Sequence, residues 1–546
     1  MVINEVVTVS TPSSETQPLN GGNQPTGYDG LNHKADLESP IDLETPLFAQ
    51  ESQLLPKATQ RRRRFVRQDT SFWQDARRLK EGTIPQSMVV ALVVGSVCGV
   101  AACLYYKCLE YFLDLLWKVL PEYLVVDKWP QQYYVLWIPL VGFSMAIFVG
   151  LSVLLLGEPG DLAYTIQCVH KDAYIAMSHV LPMVAASQFS ILGGGSLGPE
   201  APLVAICAAL GGFVSRTLFK QTRKNIIRKH TLMGMAAALA AFFGCPLGGS
   251  LFALEVNSRM GVEYFEHVVE SIFAGEVCLA VFRGLANLPI QPIWTFDQIL
   301  DQANSMSIVT GALIGLLGAG VAALFSKFHW TVMGAFDKMG LLNNRNAVQR
   351  ALLGSTVIVA LGMLLPQTMF WGEFEFQTLS ALAPASSLNH VFPTTGLFGF
   401  EMKSFLSCIA VAVGKLVAIS FTVAAGYRGG YIFPFFATGA ALGRALTAII
   451  PSISAPVACL CFAAGINVAI TRTALATSII LVYLSGEPNT MSPVLAASLI
   501  SLFATSYMPF IKTQCERADI EHSIFHMDDE DDDTEDESRD QSSQHH

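Results

Sequence analysis

Residues 198–211 read GPEAPLVAICAALG, and residues 430–443 read GYIFPFFATGAALG. Both fit G-x-x-x-P-x-x-A-x-x-A-A-L-G without a gap, at an offset of 232 residues. A looser pair, AAALAAFFGCPLGGSLFAL from Ala236 and AAGINVAITRTALATSIIL from Ala463, follows at nearly the same offset. Two copies with Gly and Pro at matching breaks point to a fold built from internal repeats, in which a transported substrate sits where broken helices of the two halves meet. The mechanics are the same in each copy. Gly lets the backbone bend closely around something, and Pro tolerates a helix start because its missing N–H costs nothing there. A helix beginning at such a break aims unpaired N–H groups and the positive end of its dipole at one point, which attracts an anion.

Composition agrees with a membrane setting. The 546 residues are 52% hydrophobic and 14% charged, against roughly 25% charged residues in soluble domains. Apolar runs matched to a ~30 Å hydrocarbon core recur at 88–106, 134–156, 201–218, 232–254, 308–325, 351–365, 405–425, 431–450, 455–470, 473–484 and 494–510. A polytopic helical bundle fits, because the ten-residue alternating strands of a membrane barrel are absent. Several runs are short or interrupted by Gly and Pro, as expected of helices that line a cavity. The eleven cysteines are scattered, without CxxC pairs, and read as small core residues instead of disulfide or metal ligands.

Both ends differ from this middle. Residues 1–80 are rich in Ser, Thr, Pro, Asn and Gly and read as a disordered tail, with no apolar core near the start to make a cleavable signal. The tail closes with QRRRRFVRQ (60–68) and DARRLKEG (75–82) just before the first apolar run. Positive-inside bias therefore places the N-terminus in the cytoplasm, with anionic-lipid contact as a further role for the Arg run. A second basic stretch, FKQTRKNIIRKH (219–230), is cytoplasmic by the same rule. The net charge of −10 is concentrated near the end, in MDDEDDDTEDESRD (527–540), a solvated acidic tail spanning 516–546. The membrane domain is then 81–515, with repeat one at about 86–290 and repeat two at about 305–510, meeting near residue 300. Which membrane hosts it is not written in the sequence.

Glu200 is the one charge in the first repeated segment. A charge at membrane depth costs about 2.5 kcal/mol or more, which makes an intramembrane Glu functional by default; the plainer reading is an acidic helix cap.

These segments resemble the anion-coordinating motifs of the CLC family of chloride channels and chloride/proton exchangers, over roughly residues 85–515. The family's G-K/R-E-G-P motif is similar to LGPEAPLV, keeping Gly198, Glu200 and Pro202, with Pro199 and Ala201 in place of the basic residue and the second Gly. Its G-x-F-x-P motif is similar to GYIFP, keeping Gly430 and Pro434, with Ile432 for the Phe. Its G-S-G-I-P motif is degraded to LGEPGDLAYTIQ (156–167), where Pro159 and Gly160 stand for the Ser and second Gly. Related proteins carry Ser or Pro at the Pro159 position, a choice that resembles a setting between chloride and nitrate, so nitrate permeation stays open.

The resemblance implies an all-α CLC fold with two inverted repeats of tilted and partly broken helices, assembled as a homodimer with one anion pathway per subunit. It also implies that Glu200 is the gating carboxylate. Gly198, Glu200, Ala201, Gly430 and the backbone N–H groups of Tyr431 and Ile432 would then be anion-binding. Tyr507, in ATSYMPFIK (504–512), is either the inner tyrosine of the pathway or an interfacial anchor. No cofactor is implied beyond chloride as the permeant ion, and no nucleic acid. The paired CBS domains that usually follow the membrane region in eukaryotic members are absent, so nucleotide regulation through them is not expected.

Exchanging members carry two consecutive acidic residues at the end of the helix matched by PLGGSLFALEVNSR (246–259). Here the pair is Glu255 and Val256. Valine cannot bind a proton, and the pattern resembles the channel members. A passive, gated chloride channel is therefore the expectation, with a chloride or nitrate/proton antiporter that uses Glu255 or another route as the alternative. An unrelated inverted-repeat anion transporter is a further alternative. Enzymatic readings lack their residues: no HExxH or Ser/His constellation lies in the apolar runs, and GGGSLGPEAP (193–202) lacks the G-K-[ST] ending of a phosphate loop.

Overall fold

Where the sequence places caps and breakers, the helices begin and end. In the computed structural model, residues 84–258, 267–296, 302–508 and 510–514 are described; both predicted tails lie outside them. The described residues form seventeen α-helices joined by short 3₁₀ and π segments. The first half contains α1 (Ile84–Asp114), α2 (Leu120–Leu124), α3 (Trp137–Leu156), α4 (Leu162–Lys171), α5 (Val180–Leu192), α6 (Glu200–Thr217), α7 (Lys224–Phe243), α8 (Pro246–Glu255) and α9 (Val268–Ala286). The second contains α10 (Ser305–Lys338), α11 (Ala347–Leu364), α12 (Glu373–Ser380), α13 (Phe405–Ala424), α14 (Ile432–Ile449), α15 (Ala455–Thr471), α16 (Ala474–Ser485) and α17 (Met491–Ala504). Capping boxes start α10 (Asn304 with Ser307) and α13 (Ser404 with Ser407), satisfying donors that lipid could not.

The repeat is visible in the elements. Helices α6 and α14 are both eighteen residues long and start at positions 232 apart. Each is followed by a helix that ends on a left-handed residue, Gly244 (φ +66°) after α7 and Arg472 (φ +67°) after α15, and then by a short helix. The same close packing recurs in both halves. A Cβ at Gly234 on α7 would stand 2.1 Å from the Cys207 carbonyl oxygen on α6, and one at Gly443 on α14 would stand 2.5 Å from the Cys459 backbone on α15. Backbones that approach this closely need no side chain between them, the usual means of helix association in lipid.

Seven helical segments among the described residues are long and apolar enough to cross a membrane, from Pro85–Leu124 to Ile432–Ile449. Some of the other elements are too short to cross alone. Helix α8 has ten residues and α16 twelve, at most about 18 Å at 1.5 Å per residue. The run 473–484, read as a crossing, is therefore a partial helix, and 494–510 stops as a helix at Ala504. Helix α9 does not stand out as apolar in the sequence because Glu270, Glu276 and Arg283 interrupt it. Glu270 is partnered by Lys229 at 2.6 Å. A fully buried Lys415 on α13 is likewise satisfied, donating to the carbonyls of Thr368, Met369 and Phe370 at 3.1, 3.0 and 2.7 Å.

Candidate functional site

The two repeated segments meet through their glycines. Gly198 and Gly430 exchange both backbone hydrogen bonds, N–H to O=C at 2.7 Å in each direction. This brings the starts of α6 and α14 together. Glu200, the first residue of α6, is 1% exposed and turns towards the other half. The Ile432 N–H at the start of α14 donates to its Oε1 at 3.1 Å. Its Oε2 is buried without a hydrogen-bond partner. The carboxylate thus sits in the positive field of a helix N-terminus with one oxygen unsatisfied, an arrangement that mimics a bound anion. Both glycines are required by its position. A Cβ at Gly198 would come within 2.0 Å of Glu200 Oε2, and one at Gly430 within 2.3 Å of its Cγ.

Leu162, Val204, Leu239, Phe252, Val256 and Tyr431 help enclose a pocket of about 10 Å³ around Glu200. Three of its walls, Leu162, Ala201 and Tyr431, also face a cavity of about 310 Å³, so the two spaces share a wall. Gly160, Asp161, His329, Arg428, Phe510 and Lys512 line that cavity as well. Two of its charges, Asp161 and Arg428, are anchored. Asp161 accepts the Tyr164 N–H at 2.7 Å and so caps α4, and Arg428 pairs with Glu158 while its N–H donates to Ser190 Oγ at 2.9 Å.

Of the residues picked out in the sequence, the structure brings Gly198, Glu200, Ala201, Gly430, Tyr431 and Ile432 together. Pro159 is buried beside the cavity without lining it; Gly160 and Asp161 do line it. Tyr507 is 79% exposed and does not line the cavity. Phe510, three residues on, lines the cavity and sets its ring 6.1 Å from Tyr431. Sequence reasoning missed Phe510 and Asp161. An Asp directly before a helical run is an N-cap signal that could have found Asp161; nothing local marks Phe510.

Glu255 repeats the logic of Glu200 at a second place. It is 1% exposed and accepts the N–H groups of Leu475 and Ala476 at 3.2 and 2.9 Å, capping α16 from the other half of the chain. Val256 faces the Glu200 pocket, and its carbonyl is held by Gln514 Nε2 at 2.9 Å, which also reaches Thr471 O at 2.8 Å.

A family model described as "Voltage gated chloride channel" matches residues 163–506. Among curated relatives, the uncharacterized protein MJ0305 of Methanocaldococcus jannaschii is 24% identical over 333 residues, covering 61% of this chain and 76% of that protein. Among solved structures, a slow cyanobacterial Cl⁻/H⁺ antiporter aligns with a TM-score of 0.62 at 18% identity, over 79% of this chain and 97% of that one. A CLC-type fluoride/proton antiporter aligns with a TM-score of 0.59 at 17% identity, over 82% and 100% respectively.

Proposed function

The chain belongs to the voltage gated chloride channel family, and from that premise we propose that it conducts chloride passively, with Glu200 as the gate. Family membership removes the alternative of an unrelated inverted-repeat transporter and leaves anion transport by a multi-span membrane protein. One observation carries the reading: a buried carboxylate with an unsatisfied oxygen occupies the junction of two helix starts, next to a cavity. In the closed state the carboxylate takes the place of the anion. Protonation, or displacement by an incoming anion, releases it from the Ile432 N–H and frees that donor for the permeant ion. Opening then depends on chloride, pH or voltage. By the same reading the protein is a homodimer with one pathway per subunit and a cytoplasmic N-terminus, and Pro159 leaves nitrate among the permeant anions.

Passive conduction is favoured by Val256, which presents no proton-binding group to the Glu200 pocket, and by Glu255, whose two oxygens are engaged as a cap. A second reading, an anion/proton antiporter, draws on the two solved relatives described as antiporters and on the buried carboxylate of Glu255 as an alternative proton acceptor.

The reversal potential of purified protein in planar bilayers, under a fixed chloride gradient with an imposed pH gradient, separates the two. A potential set by chloride alone is the expected result. A shift with pH by a stoichiometric amount replaces the channel reading with the antiporter, and Glu255→Gln then tests whether that residue carries the proton.

A further inference from the structure

A second cavity, of about 490 Å³, lies between the C-terminal ends of α7 and α9 and the helix α12. Phe242, Phe282, Arg283, Trp294, Glu373 and Gln377 are among its walls, and it shares no lining residue with the cavity beside Asp161. Its aromatic floor adjoins the gate region. Phe242 and Trp294 set their rings edge-on to Phe433 at 5.5 and 5.9 Å, and Phe433 follows Ile432, the donor to Glu200. Pro292 on its wall lies against Gly486, where a Cβ would stand 3.1 Å from the ring, and Pro493 at the start of α17 packs on Gly311 near the start of α10. The other cavity touches α10 only from Phe325 onwards, about 20 Å further along the helix. The two cavities therefore lie towards different ends of α10, and the Glu200 junction adjoins both.

Arg283, in the last turn of α9, is the one cation among the residues lining the second cavity. Its Nη1 donates to the Pro289 carbonyl at 3.3 Å, and its Nε is buried without a partner. No carboxylate among the described residues pairs with it. Glu373 on α12 is the opposing charge on the wall, with Oε2 held by Trp371 Nε1 at 2.8 Å. A guanidinium outside any ion pair, facing a single carboxylate across a cleft with low-dielectric walls, attracts small anions. The segment before Glu200 has Pro199 and no basic side chain, and the cation lining this cavity comes from α9.

We propose that this cavity is an anion antechamber, a second site for a small monovalent anion of the halide class, with Arg283 as its attracting cation and Glu373 as the charge that limits occupancy. The proposal rests on the reading of the chain as an anion pathway. The competing role for Arg283 is to neutralise helix C-termini, since its Nη2 lies 3.0 Å from where a Cβ would stand on Gly244 at the end of α7, a position where a cation is favourable.

The test is the half-saturating chloride concentration of anion flux in reconstituted bilayers, measured from each side at constant ionic strength. An antechamber predicts that Arg283→Gln raises this value on the order of tenfold from one side only. Arg283→Lys stays close to the parent protein, and Glu373→Gln shifts the value the opposite way from the same side. Unchanged values for both Gln variants, or a loss of thermal stability in Arg283→Gln without any one-sided shift, overturn the antechamber in favour of helix-end neutralisation. Should Arg283→Gln not fold, Glu373→Gln decides alone: a one-sided fall supports the proposal, and no change overturns it. Absence of chloride flux in the parent protein is a separate outcome, which overturns the anion-pathway reading itself and with it the antechamber.

Discussion

At the scale of single residues, Glu200 is placed by two glycines as much as by its own helix. The close approach at these glycines makes this testable by coupling. Gly430→Ala drives a methyl group into the Glu200 Cγ at 2.3 Å, and overpacking of this kind costs about 1–3 kcal/mol. Removing the obstructing side chain in Gly430→Ala with Glu200→Ala should recover most of that loss, because residues in contact do not add. Thermal melting of the four members of the cycle reads the coupling, and additive losses would show that the glycine serves something other than the carboxylate. Glu200→Ala by itself is expected to leave chloride conduction intact while removing its dependence on chloride, pH or voltage. Bilayer recordings that retain normal gating in this variant would end its assignment as the gate. Tyr507, 79% exposed, belongs to the same scale: Tyr507→Phe is expected to leave chloride flux at the parent level, and a marked fall would show that the tyrosine reaches the pathway in a conducting state.

At the scale of elements, helix starts buried inside the protein give the site its chemistry. A helix that crosses the bilayer satisfies its backbone internally and ends among headgroups, whereas one that starts inside leaves its first N–H groups within the protein. Helix α14 gives such a donor to Glu200 and α16 gives two to Glu255. In both cases the carboxylate belongs to the first half of the chain and the helix start to the second. Glu255→Ala removes the cap of α16 and is expected to destabilise the protein by about 0.5–2 kcal/mol, with Glu255→Gln costing less because its amide oxygen still accepts. Chloride conduction should survive both substitutions; loss of conduction in a well-folded Glu255→Gln would assign that residue to transport. The paired segments at 198 and 430 were legible as helix starts because Gly and Pro recur in register. Helix α9 was not, because three charged residues break its apolar run, and the residues that satisfy them, such as Lys229, lie on other elements.

At the scale of the whole molecule, the expected dimer with independent pathways predicts two-step photobleaching of singly labelled protein. It also predicts two equal conductance levels in single-channel records. Single-step bleaching at dilution would place a complete pathway in a lone subunit without requiring the pair. The sequence by itself determined the membrane setting, the all-helical class, the two-fold repeat and the identity of Glu200 as the charge at its break, because hydropathy, helix breakers and spacing are local properties that a linear chain displays. Only the tertiary structure decided which groups complete the site. Ile432 lies 232 residues from Glu200, and Ala476 lies 221 from Glu255; Phe510 instead of Tyr507 reaches the cavity; and Arg283 and Glu373 meet across one cavity from different halves of the chain. Such pairings are set by how the two halves pack. A buried carboxylate takes whichever donors that packing presents, and no periodicity in the chain encodes their identity.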